Sequence, residues 1–311
     1  MENSSRWVIF AALTANAIIA IIKFGAAFLS GSAALLSEGI HSVVDTANQG
    51  LLLYGLHRSK KPPDEDFPFG YGKEIYFWSF VVAFMLFMVG AVFSVFEGVQ
   101  HIRHERVVED AWIGYIVLGL ALLFEASSWG FALFNFSRTK GRRGYIQAIR
   151  RGKDPTIFMV LFEDSAAVLG IVVAFLGLFL GQLTGIGLFD SGASILIGII
   201  LGVTAVLLGR EVKGLLIGES ANRPVVQGVR ELALSLPEVR AVNEVLTMHV
   251  GPNFILVNIS VAFADRINAA RVADASARLD ATIKQRYPRV KRVFIEAETA
   301  FLNRPPFERV D

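Results

Sequence analysis

Six apolar stretches, at residues 7–30, 32–57, 74–101, 111–137, 155–181 and 188–209, set the terms on which this chain can fold. Each is long enough for an α-helix to cross a bilayer, which takes about 20 residues. With 53% hydrophobic and 19% charged residues, the composition is that of an integral membrane protein rather than a soluble globule. The net charge is only +2 and no basic cluster marks a nucleic-acid face, so no nucleic-acid partner is expected. Cysteine is absent, which excludes disulfides, thiolate ligands and cysteine nucleophiles. The short, mostly polar leader runs directly into a span too long for a signal-peptide core, so neither a cleavable signal nor an Arg-rich transit sequence is expected.

Lys and Arg are distributed unevenly among the links. Arg58, Lys60, Lys61 and Lys73 bracket the link between spans two and three. Arg138, Lys140, Arg142, Arg143, Arg150, Arg151 and Lys153 crowd the link between spans four and five. The 1–2 and 5–6 links carry neither residue, and in the 3–4 link Arg103 and Arg106 are offset by Glu105, Glu109 and Asp110. The positive-inside rule then places both termini and the two basic links on the cytoplasmic side or its topological equivalent. The bacterial inner membrane is the favoured location, with a mitochondrial membrane as the alternative.

The second span, Ser32 to Arg58, is the unusual one. At 100° per residue Glu38, His41, Asp45, Asn48 and Gln49 share roughly a third of the helix circumference. Ile40, Val43, Val44, Ala47, Leu51 and Tyr54 occupy the other side. Ionisable groups at membrane depth cost about 2.5–3.5 kcal/mol each even on permissive scales, so they face a bundle interior and mark a pathway or site. A His and an Asp at i and i+4 can share one metal ion. The competing reading is a hydrogen-bonded polar seam between packed helices.

Span five carries a second signal, Glu163-Asp164, two adjacent carboxylates in mid-helix. They lie 100° apart with Val160, Ala167 and Gly170 in or next to the sector between them, so either acid can lean towards a site. Asp154-Pro155 reads as the N-cap and first turn of this helix, and Asp190 or Ser191 as the N-cap of span six. Elsewhere, Lys23 is expected to snorkel from span one to an interface, and Glu125 either pairs with Lys23 or takes part in proton movement. His101 and His104 read as solvated. Asp64, Glu65 and Asp66 read as a solvated turn, and Tyr71 and Lys73 as interface anchors.

From about residue 210 the character becomes soluble. Helical periodicity at 223–235 and 267–286, with alternating strands at 238–249, 254–263 and 290–297, predicts an αββαβ, ferredoxin-like domain. The division is therefore 1–210 for transport and 211–311 for a cytosolic domain small enough to favour self-association.

Bringing spans two and five together gives one imidazole and several carboxylates, donors suited to divalent first-row metals. His41, Asp45 and Asp164 with an oxygen from Glu163 or Glu38 would complete a tetrahedron for Zn²⁺, and the same set would accept Mn²⁺, Fe²⁺ or Co²⁺ if water joins. Metal and protons compete for these groups, which is the chemistry of a metal/proton antiporter. An intramembrane metallo-hydrolase would need a general base and substrate cavity of its own, and a scaffold acting through its tail would have no use for His41 and Asp45.

Several stretches resemble the cation diffusion facilitators, the zinc-transporter solute carriers. They are Ser37-Glu38-Gly39-Ile40-His41-Ser42-Val43-Val44-Asp45, Phe69-Gly70-Tyr71-Gly72-Lys73-Glu74 and Phe162-Glu163-Asp164-Ser165-Ala166-Ala167, with the αββαβ tail. The Lys153-Asp154-Pro155 entry and Glu163-Asp164 pair look closest to the branch that includes a mitochondrial member. The resemblance implies a homodimer that exports Zn²⁺ or a related metal in exchange for H⁺, with no resident cofactor and no enzymatic activity. It also implies a His/Asp-x-x-x-Asp pair from each of spans two and five. His41 and Asp45 match that pattern; on span five Asp164 does, but its partner position is Val160, so Glu163, and after it Glu38, is expected to complete the site. Two accessory sites of the family look absent: Phe67 and Tyr71 stand at its histidine positions, and Asn258, Glu296 and Glu298 where metal-binding side chains are often found. His249 reads as a strand histidine.

Overall fold

A computed structural model of the chain describes residues 2–104, 111–140, 144 and 152–300. The expectations for Glu105, Arg106, Glu109, Asp110, Arg142, Arg143, Arg150 and Arg151, and for the side chain of His104, lie outside the described residues. The chain forms two compact units, one of residues 1–61 and 74–213, the other of residues 62–73 and 214–311.

The first unit is helical. Helices α1 (Glu2–Ser30) and α2 (Ala33–Arg58) are joined by a turn that Gly31 makes at φ +67°, a left-handed conformation that costs glycine nothing. Helices α3 (Glu74–Met85) and α4 (Val92–His104) are one span, continuous through a π-helical turn at Leu86–Ala91. They are followed by α5 (Ala111–Lys140), α6 (Pro155–Thr184) and α7 (Leu188–Ile217). Among the described residues, four helical segments are long and apolar enough to cross a membrane: Glu74–Arg103, Trp112–Arg138, Phe158–Thr184 and Leu188–Ile217. Of the other two expected spans, α1 shows a shorter apolar run, Asn16–Ser30, among the described residues, and the hydropathy of α2 is interrupted by its polar face.

Small residues let these helices meet closely, as in membrane bundles generally. A methyl on Gly98 of α4 would lie 2.7 Å from the Ser191 carbonyl oxygen of α7, and one on Gly198 of α7 would lie 2.8 Å from the Ala91 carbonyl oxygen. The entry to α6 is as expected: Asp154 Oδ1 accepts the Thr156 amide at 3.1 Å, and Pro155 fills the first turn, where its missing N–H is harmless. Asp190 departs from expectation. It lies inside the first turn of α7 and caps α2 instead, accepting the Ser32 hydroxyl at 2.5 Å and the Ala33 amide at 2.7 Å. His101 is not solvated either; it is 9% exposed, with Nε2 at 3.1 Å from Glu97 Oε1 one turn earlier on α4.

In the second unit α8 (Arg223–Leu234), β1 (Val239–Gly251), β2 (Phe254–Phe263), α9 (Ala269–Arg286) and β3 (Val290–Ala297) follow the expected order. The sheet runs β1-β2-β3, with β1 and β2 antiparallel and β2 and β3 parallel. Strand β2 alternates, so Ile255, Val257, Ile259 and Val261 share one face and pack with Val229 and Ala233 of α8 and Leu279 and Ile283 of α9. Residues 62–73 belong to this unit. Tyr71 is buried and donates to Asp64 Oδ2 at 2.7 Å, and Lys73 Nζ donates to the Leu216 carbonyl at 3.4 Å, so both serve the tail unit rather than a membrane interface.

Candidate metal centre

The polar face of α2 is presented to its neighbours from a firmly held start. The Ser32 hydroxyl accepts the Leu35 amide at 3.1 Å, and Asp190 takes up the next unsatisfied amides of the first turn. Below this cap Glu38, His41, Ser42 and Asn48 are buried and Asp45 is partly buried. His41 Nδ1 lies 3.4 Å from Asp45 Oδ1, near enough for a salt bridge yet without hydrogen-bond geometry. Among the described residues, both His41 nitrogens, Asp45 Oδ1, Glu38 Oε1 and Asn48 Oδ1 are buried without a hydrogen-bond partner. Leaving a buried polar atom unsatisfied costs about 1–3 kcal/mol, so this much on three turns of one helix makes it a candidate site.

Helix α6 supplies the facing acids. Glu163 is 5% exposed and its Oε1 accepts the Asn48 side-chain N–H at 3.0 Å, which ties α2 to α6. Asp164 Oδ2 accepts the Ser128 hydroxyl of α5 at 3.0 Å. A cavity of about 230 Å³ lies among α1, α2, α5 and α6, walled by Asn16, Ile19, Ser42, Asp45, Gln49, Phe124, Glu125, Ser128, Val160, Glu163 and Asp164. Four carboxylates therefore face one small space.

Three of the five expected ligands, Asp45, Glu163 and Asp164, line this cavity; His41 and Glu38 do not. As the side chains stand, no three His, Asp or Glu groups among the described residues are near enough to hold one ion. Glu38 is engaged elsewhere, its Oε2 3.1 Å from Lys23 Nζ. Lys23 is thus 1% exposed and paired inside the bundle, so it does not snorkel to an interface. The reason is geometric: the tight 31–32 turn folds α1 back along α2 and sets Lys23 beside a carboxylate it can neutralise. Glu125, whose role the sequence left open, lines the cavity while Lys23 bonds to Glu38. Asn16 donates to Gln49 at 3.2 Å, and its place on the Lys23 side of α1 was the available signal for it.

Residues 9–217 match the family described as the cation efflux transmembrane domain. The proton-coupled zinc antiporter SLC30A9, mitochondrial, of Mus musculus is 32% identical over 262 residues, covering 84% of this chain and 46% of that protein. Metal tolerance protein C4 of Arabidopsis thaliana is 33% identical over 223 residues, covering 71% of this chain and 49% of that one. The chain thus spans about half the length of these two relatives. The cation-efflux pump FieF of Klebsiella pneumoniae is 26% identical over 286 residues, covering 91% of this chain and 89% of the pump.

Proposed function

Because this chain belongs to the cation efflux family, we propose that it moves a divalent cation, Zn²⁺ first among them, across a membrane in exchange for protons. The relatives are named as antiporter and pump, and the hydrolase reading is set aside. The observation that carries the proposal is the cavity walled by Asp45, Glu125, Glu163 and Asp164, with His41 Nδ1 3.4 Å from Asp45 Oδ1 and neither His41 nitrogen hydrogen-bonded among the described residues. Carboxylates sunk in a bilayer are tolerable when a dication or protons neutralise them, and these two occupants exclude each other. Asp45, Glu163 and Asp164 hold the cation, with His41 turning in from the next turn of α2. Alternate opening of the helices around that site then couples metal to proton movement.

Six spans fit this reading. At about 1.5 Å per residue the 29 residues of α1 and 26 of α2 give helices of roughly 44 and 39 Å, long enough to cross. Both termini and the basic links then lie on the cytoplasmic side, in a bacterial inner membrane by preference, with a mitochondrial membrane as the alternative. The tail, 211–311, pairs two copies into a homodimer.

A second reading has its own support. The cavity wall offers oxygen donors and amides, with Val160 where the family pattern would place a ligand, and carboxylate, carbonyl and water suit harder cations such as Mn²⁺. Uptake by proteoliposomes of Zn²⁺, Mn²⁺, Fe²⁺, Co²⁺ and Cd²⁺ under an imposed pH gradient decides between them. Flux of Zn²⁺ that rises with the proton gradient and disappears in Asp45→Ala and Asp164→Ala is expected. Preference for Mn²⁺ selects the second reading, and no gradient-dependent flux of any of the five ions overturns both.

A further inference from the structure

We propose that Lys23 is a built-in counter-ion that holds Glu38 out of the metal set, and so limits how many carboxylates can reach the transported cation. The inference rests on the cavity between α2 and α6 being the cation site.

Glu38 is otherwise well placed to be a ligand. It lies on the polar face of α2, three residues before His41 and seven before Asp45, spacings that put side chains in line along a helix. Yet it does not line the cavity, whereas Ser42, one turn further on, does. Lys23 accounts for the difference. Its Nζ donates to Glu38 Oε2 at 3.1 Å and to Ser42 Oγ at 2.8 Å, which uses two of the three ammonium donors. Lysine and carboxylate are 1% and 0% exposed, so no solvent competes for either.

The other oxygen, Glu38 Oε1, has no hydrogen-bond partner among the described residues and sits against Gly170 of α6, where an added methyl group would collide with it. The carboxylate is thus held on one side by charge and seated on the other in a notch that only glycine leaves open.

Two effects follow for a cation in the cavity. With its charge already balanced, Glu38 adds nothing to the field that attracts metal. The pair occupies the Ser42 end of the cavity wall without net charge, which leaves the cation to the end formed by Asp45, Glu163 and Asp164. A site with one carboxylate fewer binds less tightly, and a transporter must release its cargo as well as capture it.

The test compares Lys23→Met, Glu38→Gln and the double variant Lys23→Met/Glu38→Gln in the full chain. Zn²⁺ affinity is read by equilibrium titration in detergent, and turnover and KM by proteoliposome flux. In Lys23→Met the freed carboxylate should join the metal, tightening Zn²⁺ binding roughly tenfold or more and slowing turnover by a comparable factor. The double variant, which lacks both charges, should bind Zn²⁺ within about threefold of the parent, less than the tenfold that a group supporting the metal would cost, while Glu38→Gln alone leaves the ammonium unbalanced and should bind more weakly. Rescue of turnover in the double variant separates this role from mere loss of packing. If Lys23→Met does not accumulate as folded protein, the double variant decides, since it alone lacks both charges of the pair. Weakening of Zn²⁺ binding by tenfold or more in the double variant makes Glu38 a ligand and overturns the inference. A folded Lys23→Met that binds and turns over like the parent overturns it too. A parent that binds neither Zn²⁺ nor Mn²⁺ overturns the cavity reading itself, and this inference with it.

Discussion

Asn48 donates its side-chain amide to Glu163 across 3.0 Å, the buried polar bond that joins α2 to α6 beside the cavity. It occupies Glu163 Oε1, and under the proposed function the other oxygen is the one left for a cation. Groups that orient a ligand matter nearly as much as the ligand, and their loss costs about 10–100-fold in metal affinity or activity. Asn48→Ala is therefore expected to weaken Zn²⁺ binding within that range and to lower flux, while Asn48→Asp, which sets a fifth carboxylate against Glu163, should be worse. Isothermal titration of the purified variants checks this, and parent-like affinity in Asn48→Ala would show that Glu163 needs no orienting partner.

Asp190 bonds to Ser32, 158 residues earlier in the chain, and so couples the start of α2 to the start of α7. Replacing it with Ala strands the Ser32 hydroxyl and the Ala33 amide in the bundle, at about 1–3 kcal/mol for each unsatisfied group. We expect Asp190→Ala to lower the unfolding midpoint in detergent by several degrees, with Asp190→Asn intermediate because one carbonyl oxygen remains to accept. Equal midpoints for all three proteins would mean that the cap contributes nothing.

How much could be read in advance depended on the range of the interaction. The polar face of α2 follows from the 3.6-residue period, the tail strands from their alternation, and the Asp154-Pro155 start from local capping chemistry, all of which act within a few residues. Lys23 departs from expectation because its partner is reached only through the turn at Gly31, and Asp190 because its carboxylate accepts from donors at the start of another helix. Tyr71 and Lys73 have the composition of interface anchors; Tyr71 instead bonds to Asp64 seven residues back, and Lys73 reaches Leu216 and Met248, which no local pattern announces. His101 is the exception, since Glu97 stands at i−4 and the pairing was there to be read.

Gly72 tests the place of residues 62–73 in the tail unit. A methyl group there would stand 2.5 Å from the Val250 carbonyl oxygen and 3.2 Å from Gly251 Cα, both backbone atoms that cannot turn aside as a side chain can. Overpacking of this kind costs about 1–3 kcal/mol. Gly72→Ala should speed amide hydrogen exchange across residues 64–73 and at Gly251 while leaving the β2–β3 pairing protected. Unchanged exchange in the segment would contradict the contact.

In the tail, the hydrogen bond from Arg278 to Glu238, 2.6 Å long, holds the Glu238 carboxyl below its usual 4.5. A carboxyl depressed on folding contributes stability in full above pH 4.5 and loses it as pH falls through the lower folded value. The pair is partly solvated, so the effect is small and weakens with salt. Exchange of tail amides in the full chain, followed from pH 6 down to about 3 at low salt, should rise less steeply in Glu238→Gln than in the parent. Identical profiles would remove Glu238 from the acid response.

Glu125 decides how the four carboxylates around the cavity divide their work. A dication brings two positive charges, and Asp45, Glu163, Asp164 and Glu125 together carry up to four negative ones. Two of the four acids must therefore be balanced by protons for the loaded cavity to reach neutrality, which buried charge requires, and one of them can be an acid outside the ligand set. Glu125 stands on α5, away from the helices that carry the expected ligands, so it is the acid we assign to protons. Glu125→Gln should then keep the Zn²⁺ dissociation constant within about threefold, some 0.7 kcal/mol, yet make flux less sensitive to an imposed pH gradient. Asp164→Asn should lose Zn²⁺ binding outright. If Glu125→Gln loses binding while keeping its response to the gradient, Glu125 is a metal ligand and the proton must be carried by one of the acids on α2 or α6.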